Sequence, residues 1–96
     1  MSITTPQFTG PASGPQQGVG STPTVFGIGQ IGSTVYLFYN GDPNNVIGQG
    51  LVGQNGHWEI SITLRYQDPG NANVIAIIAV YGLERSAWGN DHILYP

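Results

Sequence analysis

Turn-forming residues divide this chain into short runs of β-prone residues and leave little room for helices. From Pro23 onward the dividing segments are Asn40-Gly41, Asn55-Gly56 and Asp68-Pro69-Gly70. Asn-Gly pairs accept the positive φ that hairpin turns require, and Pro-Gly is a further turn signal. This spacing is typical of an all-β sandwich or barrel. It predicts strands over Thr24–Ile28, Ser33–Tyr39, Val46–Val52, His57–Leu64, Asn73–Tyr81 and His92–Tyr95.

The first 22 residues are rich in Pro, Gly, Ser, Thr and Gln, which is typical of a linker. They leave room for one Pro-broken edge strand around Gln7–Gly10, which would bring the number of strands to seven. A chain of 96 residues fits one domain with one core, and little chain is left for a deep active-site cleft. We therefore expect a linker over residues 1–22 and a sandwich core over residues 23–96.

Two predicted strands differ in how many faces they bury. Trp58, Ile60, Ile62 and Leu64 alternate with polar residues, so one face of that strand is expected in the core and the other in water. The segment Val74–Tyr81 is apolar on both faces. We expect it to be a central strand whose second face is covered by a loop, a neighbouring module or another copy of the chain.

Charge is scarce, and its distribution bears on possible partners. Only 7% of the residues are charged, the net charge is -3, and the basic residues are Arg65 and Arg85. A chain with this charge distribution lacks the cluster of positive residues found in proteins that bind nucleic acid or anionic membranes, so neither partner is expected. No apolar run approaches the roughly 20 residues of a spanning helix, so membrane insertion is not expected either. Residues 1–22 lack the pattern of a signal peptide, and an export signal would have to lie outside this sequence.

One ordered set of residues spans most of the chain: Pro23, Val25, Gly27, Gly29, Gly32, Val35, Leu37, Asn40-Gly41, Ile47-Gly48, Asn55-Gly56, Trp58 and Ile60. A later stretch, Ala79–Trp88, extends the set. In this order the residues resemble bacterial immunoglobulin-like domains over roughly residues 6–95, and Ala79–Trp88 looks like the final hairpin of such modules. The resemblance implies a seven-stranded Greek-key sandwich in a surface adhesin, a secreted multidomain protein or a phage fibre. It implies an extracellular, cell-surface or virion location and no chemistry of its own.

The sequence departs from some members of that family in two ways. It lacks the acidic residues that bind calcium between modules, since only Asp42, Asp68 and Asp91 are present as aspartates. It also contains no lysine, so the Lys-to-Asn isopeptide crosslink of some surface modules cannot form. We expect neither a calcium site nor such a crosslink.

Patterns that suggest catalysis or cofactor binding lack the context those functions need. Gly27–Gly32 matches G-x-G-x-x-G, but β-branched and aromatic residues follow it where a dinucleotide site needs a helix. His57 and His92 have no nucleophile grouped with them and are expected to be solvated strand residues. Asn90-Asp91-His92 supplies too few metal ligands at workable spacing. The segment Asp42–Asn45 could hold a cation with backbone carbonyls, but its turn-forming composition explains it without one. The sequence predicts no catalytic, cofactor or metal site, and no enzyme.

The aromatic residues leave one question open. Trp58 is expected in the core, because it shares a face of its strand with Ile60 and Ile62, and a tryptophan fills the space between the sheets in other sandwiches. Trp88 lies near a turn, where it either closes the end of the core or stands exposed in an aromatic cluster that binds a ligand. Packing is favoured. The residues that could form the exposed cluster are Trp88, Tyr36, Phe38, Tyr66 and Tyr95.

Two functions of different classes follow from this interpretation. The first is a structural module that spaces other domains of a multidomain protein, with neighbouring modules as its partners and weak self-association through strand edges or an apolar face. The alternative is a recognition module that binds a glycan or a host protein through exposed aromatic residues. Both rest on analogy at the level of the fold.

Overall fold

A computed structural model describes residues 3–10, 18–39, 42, 44–65, 68 and 72–96. This part of the chain contains eight strands and no helix. Accordingly, it holds no helix of the length and hydropathy that crossing a bilayer takes. The strands are β1 (Gln7–Gly10), β2 (Thr24–Ile28), β3 (Thr34–Tyr39), β4 (Val46–Leu51), β5 (His57–Ser61), β6 (Asn73–Tyr81), β7 (Glu84–Arg85) and β8 (His92–Leu94).

The strands form two antiparallel sheets. The first sheet has the order β1-β2-β5, and the second has the order β4-β3-β6 with both β7 and β8 paired to β6. Apolar side chains from both sheets fill one core between them, as expected for a sandwich. The core residues include Val25, Trp58 and Ile60 from the first sheet and Val35, Leu37, Ile75 and Ile77 from the second.

β7 and β8 are two parts of one interrupted strand along the edge of β6. Arg85 pairs with Val80, and His92 pairs with Ile75. Between these pairs β6 advances five residues (80 to 75) while the partner advances seven (85 to 92), so the partner carries two extra residues. The main chain still follows β6 through the interruption, because the N–H of Gly89 donates to the Ile77 carbonyl at 2.9 Å.

The prediction of seven strands missed β7. This strand is only two residues long, and a two-residue turn joins it to β6 because Tyr81 pairs with Glu84. The first residue of that turn, Gly82, has a φ of 63°. Positive φ at this position is the requirement of a primed hairpin turn, and glycine adopts it without strain.

The predicted bounds of β1, β2 and β6 are confirmed, and the other four strands are shorter than predicted. β3 begins after Ser33, because Ser33 closes a turn by donating its N–H to the Gln30 carbonyl at 3.1 Å. β5 ends at Ser61, and Leu64 donates instead to the Ser21 carbonyl at 2.8 Å. β4 ends one residue before Val52, and β8 ends one residue before Tyr95.

The predicted turns have different outcomes. Gly56 has a φ of 79°, as its Asn-Gly pair predicted. The turn does not close a hairpin, however, because β4 and β5 belong to different sheets. Asn40-Gly41 lies outside the described residues, and of Asp68-Pro69-Gly70 only Asp68 lies within them.

The two ends of the described chain lie at opposite ends of the sandwich. Thr4 bonds through its hydroxyl to the Gln30 side chain at 3.2 Å, two residues beyond the C-terminal end of β2. The carbonyl of Tyr95 accepts a hydrogen bond of 3.1 Å from the N–H of Val19, which precedes the N-terminal end of β2. β2 therefore separates the two ends along the strand direction, in a molecule of 41 × 27 × 17 Å.

Candidate functional site

Aromatic and aliphatic side chains gather on the outer face of the second sheet. Side chains alternate along β3, so Tyr36 and Phe38 point away from the core that Val35 and Leu37 fill. Across the ladder, Tyr36 pairs with Ile78. We call the residues of this surface, with the tryptophan that joins them, the aromatic face: Tyr36, Phe38, Ile78, Val80 and Trp88.

Trp88 joins this face from the interruption between β7 and β8. Its ring meets the ring of Phe38 edge-on, with the centroids 5.2 Å apart and an interplanar angle of 72°. The contact leaves 48% of Trp88 exposed, whereas Phe38 is buried. The sequence left open whether Trp88 is packed or exposed. In the structure one part of its side chain packs on Phe38 and the rest is exposed.

Hydrogen bonds to β6 fix the segment that carries Trp88. The N–H of Ser86 donates to the Ala79 carbonyl at 2.8 Å, and the Ser86 hydroxyl accepts from the Ala79 N–H at 2.8 Å. The same hydroxyl donates to the Ala87 carbonyl at 2.9 Å. Ser86 is itself buried. Because Gly89 is also bonded to β6, Trp88 is held between two anchored residues.

A groove runs beside the Trp88 ring. Its volume is about 320 Å³, and its lining residues are Ile78, Arg85, Ser86, Ala87 and Trp88. Arg85 pairs with Val80, so it lies on the aromatic face. Among the described strand residues that the ladders place on this face, Arg85 is the only charged one. The groove thus combines an exposed indole, an aliphatic wall and one cation.

The residues predicted for an aromatic site are only partly brought together. Trp88, Tyr36 and Phe38 share the aromatic face. Tyr95 lies past β8, beyond the Asn73 end of β6, about 20 Å along the strand from Ile78. Tyr66 lies outside the described residues.

Sequence reasoning missed Arg85 and Ile78 as residues of this site. Arg85 lies three positions before Trp88, a spacing that in a regular strand would put the two side chains on opposite faces. They share a face here because of the extra residues between β7 and β8. The sequence shows Arg85 close to Trp88, but this proximity indicates a shared site only when the interruption between β7 and β8 is taken into account.

His92 is not the solvated residue that its position near the chain end suggested. It is buried, and its ring stacks on Phe8 with centroids 4.3 Å apart and an interplanar angle of 13°. Phe8 also contacts Trp58 edge-on at 5.4 Å. Strand β1 therefore covers His92, a contact between residues 84 positions apart (92 minus 8) that local patterning does not reveal.

The glycine-rich segment lies in a strand and a turn, and His57 lies on a strand. Gly27–Gly32 spans the end of β2 and the turn before β3, so a strand follows it. His57 is exposed on β5. Within the described ranges, no three His, Asp or Glu side chains group so that they could hold a metal ion.

Comparison with known proteins gives a likeness at the level of the fold. No protein-family model matches the sequence, and no curated protein matches it. The chain is similar to a solved structure named "Structure of Protease", with a TM-score of 0.53 and 17% sequence identity. The similarity covers 96% of this chain and 18% of that chain, so this chain spans less than a fifth of that protein's length.

Proposed function

We propose that this chain is a non-catalytic, immunoglobulin-like module that spaces the domains of a bacterial surface, secreted or phage multidomain protein. The observation that carries the proposal is the placement of Thr4 and Tyr95 at opposite ends of the sandwich. A polypeptide that passes through such a module enters at one pole and leaves at the other. Each module would therefore add its own length to the parent protein.

The order of the strands supports the immunoglobulin-like part of the proposal. After β3 and β4 have been placed in the second sheet, β5 returns to the first and pairs with β2. β6 then pairs with β3 in the second sheet, and a hairpin places β7 beside β6 in the same sheet. This crossing between sheets supports the Greek-key arrangement that the proposal assigns to the chain, since immunoglobulin-like sandwiches cross between their sheets in a similar way. Counting β7 and β8 as one interrupted strand gives the seven strands of such a module.

The ladders suit a module that carries load between its ends. β1 and β8 are the first and last strands, and both run along the direction that separates the ends. Hydrogen bonds in antiparallel ladders are perpendicular to the strands. A pull on the two ends would therefore load the β1–β2 and β6–β8 bonds together in shear.

The structural neighbour is compatible with a modular role. In that protein the similar part makes up 18% of a longer chain, so the fold occurs there as one portion of a larger polypeptide. Its name concerns a protease, and we do not propose proteolysis for this chain.

Insertion of the full chain between two folded reporter domains tests the spacing role. Reporters separated by one copy and by two copies would be compared by small-angle X-ray scattering. The second copy should increase the maximum dimension by about 30 to 40 Å, close to the long dimension of the sandwich. An increase below about 15 Å would mean that the two chain ends do not place the neighbouring domains at opposite ends of the module, and the proposal would be wrong.

A further inference from the structure

The Trp88 groove combines features that a saccharide ring uses for binding. The indole is half-exposed, yet its segment is anchored to β6 through Ser86 and Gly89. An aromatic ring fixed before the ligand arrives costs little conformational entropy when it binds. Bulges in edge strands often redirect a side chain next to a functional site, and here the bulge directs Trp88 outward. The apolar C–H face of a pyranose ring fits such a surface.

Charge narrows the class of saccharide. The chain has a net charge of -3 and only two basic residues, yet one of them, Arg85, lines this groove. A guanidinium donates two parallel N–H bonds to the oxygens of a carboxylate in a planar arrangement. We propose that the groove formed by Ile78, Arg85, Ser86, Ala87 and Trp88 binds an acidic saccharide, whose ring stacks on Trp88 and whose carboxylate pairs with Arg85.

The dimensions of the groove favour this occupant over larger ones. About 320 Å³ is at the low end of the range for small-ligand sites and is enough for one or two sugar rings. A stable protein interface buries roughly 800 Å² on each partner, which is more than such a groove supplies. An anionic membrane would require a cluster of basic residues, and the chain has two arginines in all.

Titration of the ¹⁵N-labelled full chain with tri-galacturonic acid tests the proposal by NMR. The expected dissociation constant is on the order of 1 mM, as for a ligand of a few sugar rings on a shallow site. The indole N–H signal of Trp88 should shift on binding. That of Trp58, which is buried and donates to the Ile28 carbonyl at 3.0 Å, should not. The methyl ester of the same trisaccharide, which has the same rings without the charge, should bind about fivefold more weakly.

Three variants assign the binding to the two proposed contacts. Trp88→Ala should weaken binding at least about tenfold, and Trp88→Phe should restore part of it. Arg85→Gln should abolish the preference for the acid over its ester. Arg65→Gln is the matched control: it removes the other cation, which lies over the Tyr39 ring at 5.1 Å, and should leave binding unchanged. Dispersed amide signals would confirm that each variant is folded.

Three results would each overturn the proposal. They are the absence of saturable shifts with tri-galacturonic acid, binding that Trp88→Ala leaves unchanged, and binding of acid and ester with equal affinity. Each of them would leave the spacing role untouched, because that role rests on the positions of the chain ends and does not involve the groove.

Discussion

The ring of Phe38, from β3, lies edge-on beneath the half-exposed ring of Trp88, which the interruption between β7 and β8 carries, with 5.2 Å between their centroids. The contact joins residues that are 50 positions apart in the chain (88 minus 38). It couples the edge of the second sheet to its centre. Because Trp88 covers Phe38 and yet stays accessible, its role in stability can be separated from a role in binding.

Replacement of Trp88 by Ala should therefore destabilise the fold only moderately. We expect a loss of about 1 to 2 kcal/mol in the free energy of unfolding, because half of the ring's surface is exposed and one aromatic contact is lost. Urea denaturation measures this loss. A loss above about 4 kcal/mol would show that Trp88 is a core residue.

Trp58 should behave differently, although it is the same type of residue. It is 2% exposed, its ring contacts Phe8, and its Nε1–H donates to the Ile28 carbonyl. Trp58→Ala should cost about 3 to 5 kcal/mol through the cavity between the sheets. Trp58→Phe should cost less, because a ring still fills most of the space, although the hydrogen bond, worth about 1 kcal/mol, and some packing are lost. A loss below about 1 kcal/mol for Trp58→Ala would contradict the position of the indole in the core.

Three Gly→Ala replacements should rank by the space and backbone geometry at each position. At Gly27 a Cβ would meet Trp58 Cζ2 at 2.6 Å, and the Gln7 carbonyl closer still, so Gly27→Ala should cost about 3 kcal/mol or more. Gly82 has open space but a φ of 63°, so Gly82→Ala should cost about 1 kcal/mol. Gly18 has open space as well, and Gly18→Ala should change stability by no more than about 0.5 kcal/mol. Thermal or urea unfolding gives the order, and a neutral Gly27→Ala would contradict the packing of Trp58 on β2.

Strand β4 should mediate weak self-association. Among the described strands it lies at one edge of the second sheet, it contains no charged residue and no proline, and Leu51 is 67% exposed. Uncharged edge strands pair readily with other strands. Sedimentation velocity over a wide concentration range should show reversible dimers, and Gln49→Lys on this edge should reduce them.

Gln7→Lys is the control for the edge. It introduces the same charge at an exposed position of β1, in the other sheet, and should leave the dimers unchanged. Dimerisation that responds equally to both substitutions would reflect overall charge. Such a result would refute an interface along β4.

The strands were predictable because local chemistry determines most of them. Alternation from Trp58 to Ile60 and the two-sided apolar run of β6 both appear in the burial pattern of the structure. Four strand ends were misplaced, because residues such as Val52 and Leu64 stay buried and hydrogen-bonded after regular pairing has stopped. Hydrophobic periodicity reports burial, and it does not report where a ladder ends.

The candidate site was less predictable, because it depends on pairing between distant segments. The outward positions of Tyr36 and Phe38 follow from alternation along β3. Trp88 and Arg85 lie on one face because the strand opposite β6 contains two extra residues. This irregularity belongs to the pairing of distant strands, and no local sequence pattern reveals it. The burial of His92 under Phe8 depends likewise on where β1 docks.

The distance between the chain ends tests the central claim most directly. The chain contains no cysteine, so Thr4→Cys and Pro96→Cys allow spin labels at the two ends without further substitutions. Double electron–electron resonance should give a single narrow distance distribution centred on the order of 30 Å. A control pair at one pole, Thr4→Cys with Gln54→Cys, should give a distance of less than about 20 Å, because Gly56 of the same loop bonds to Gly29. A distance below about 20 Å between the labels at positions 4 and 96 would place the two ends at one pole and contradict the account.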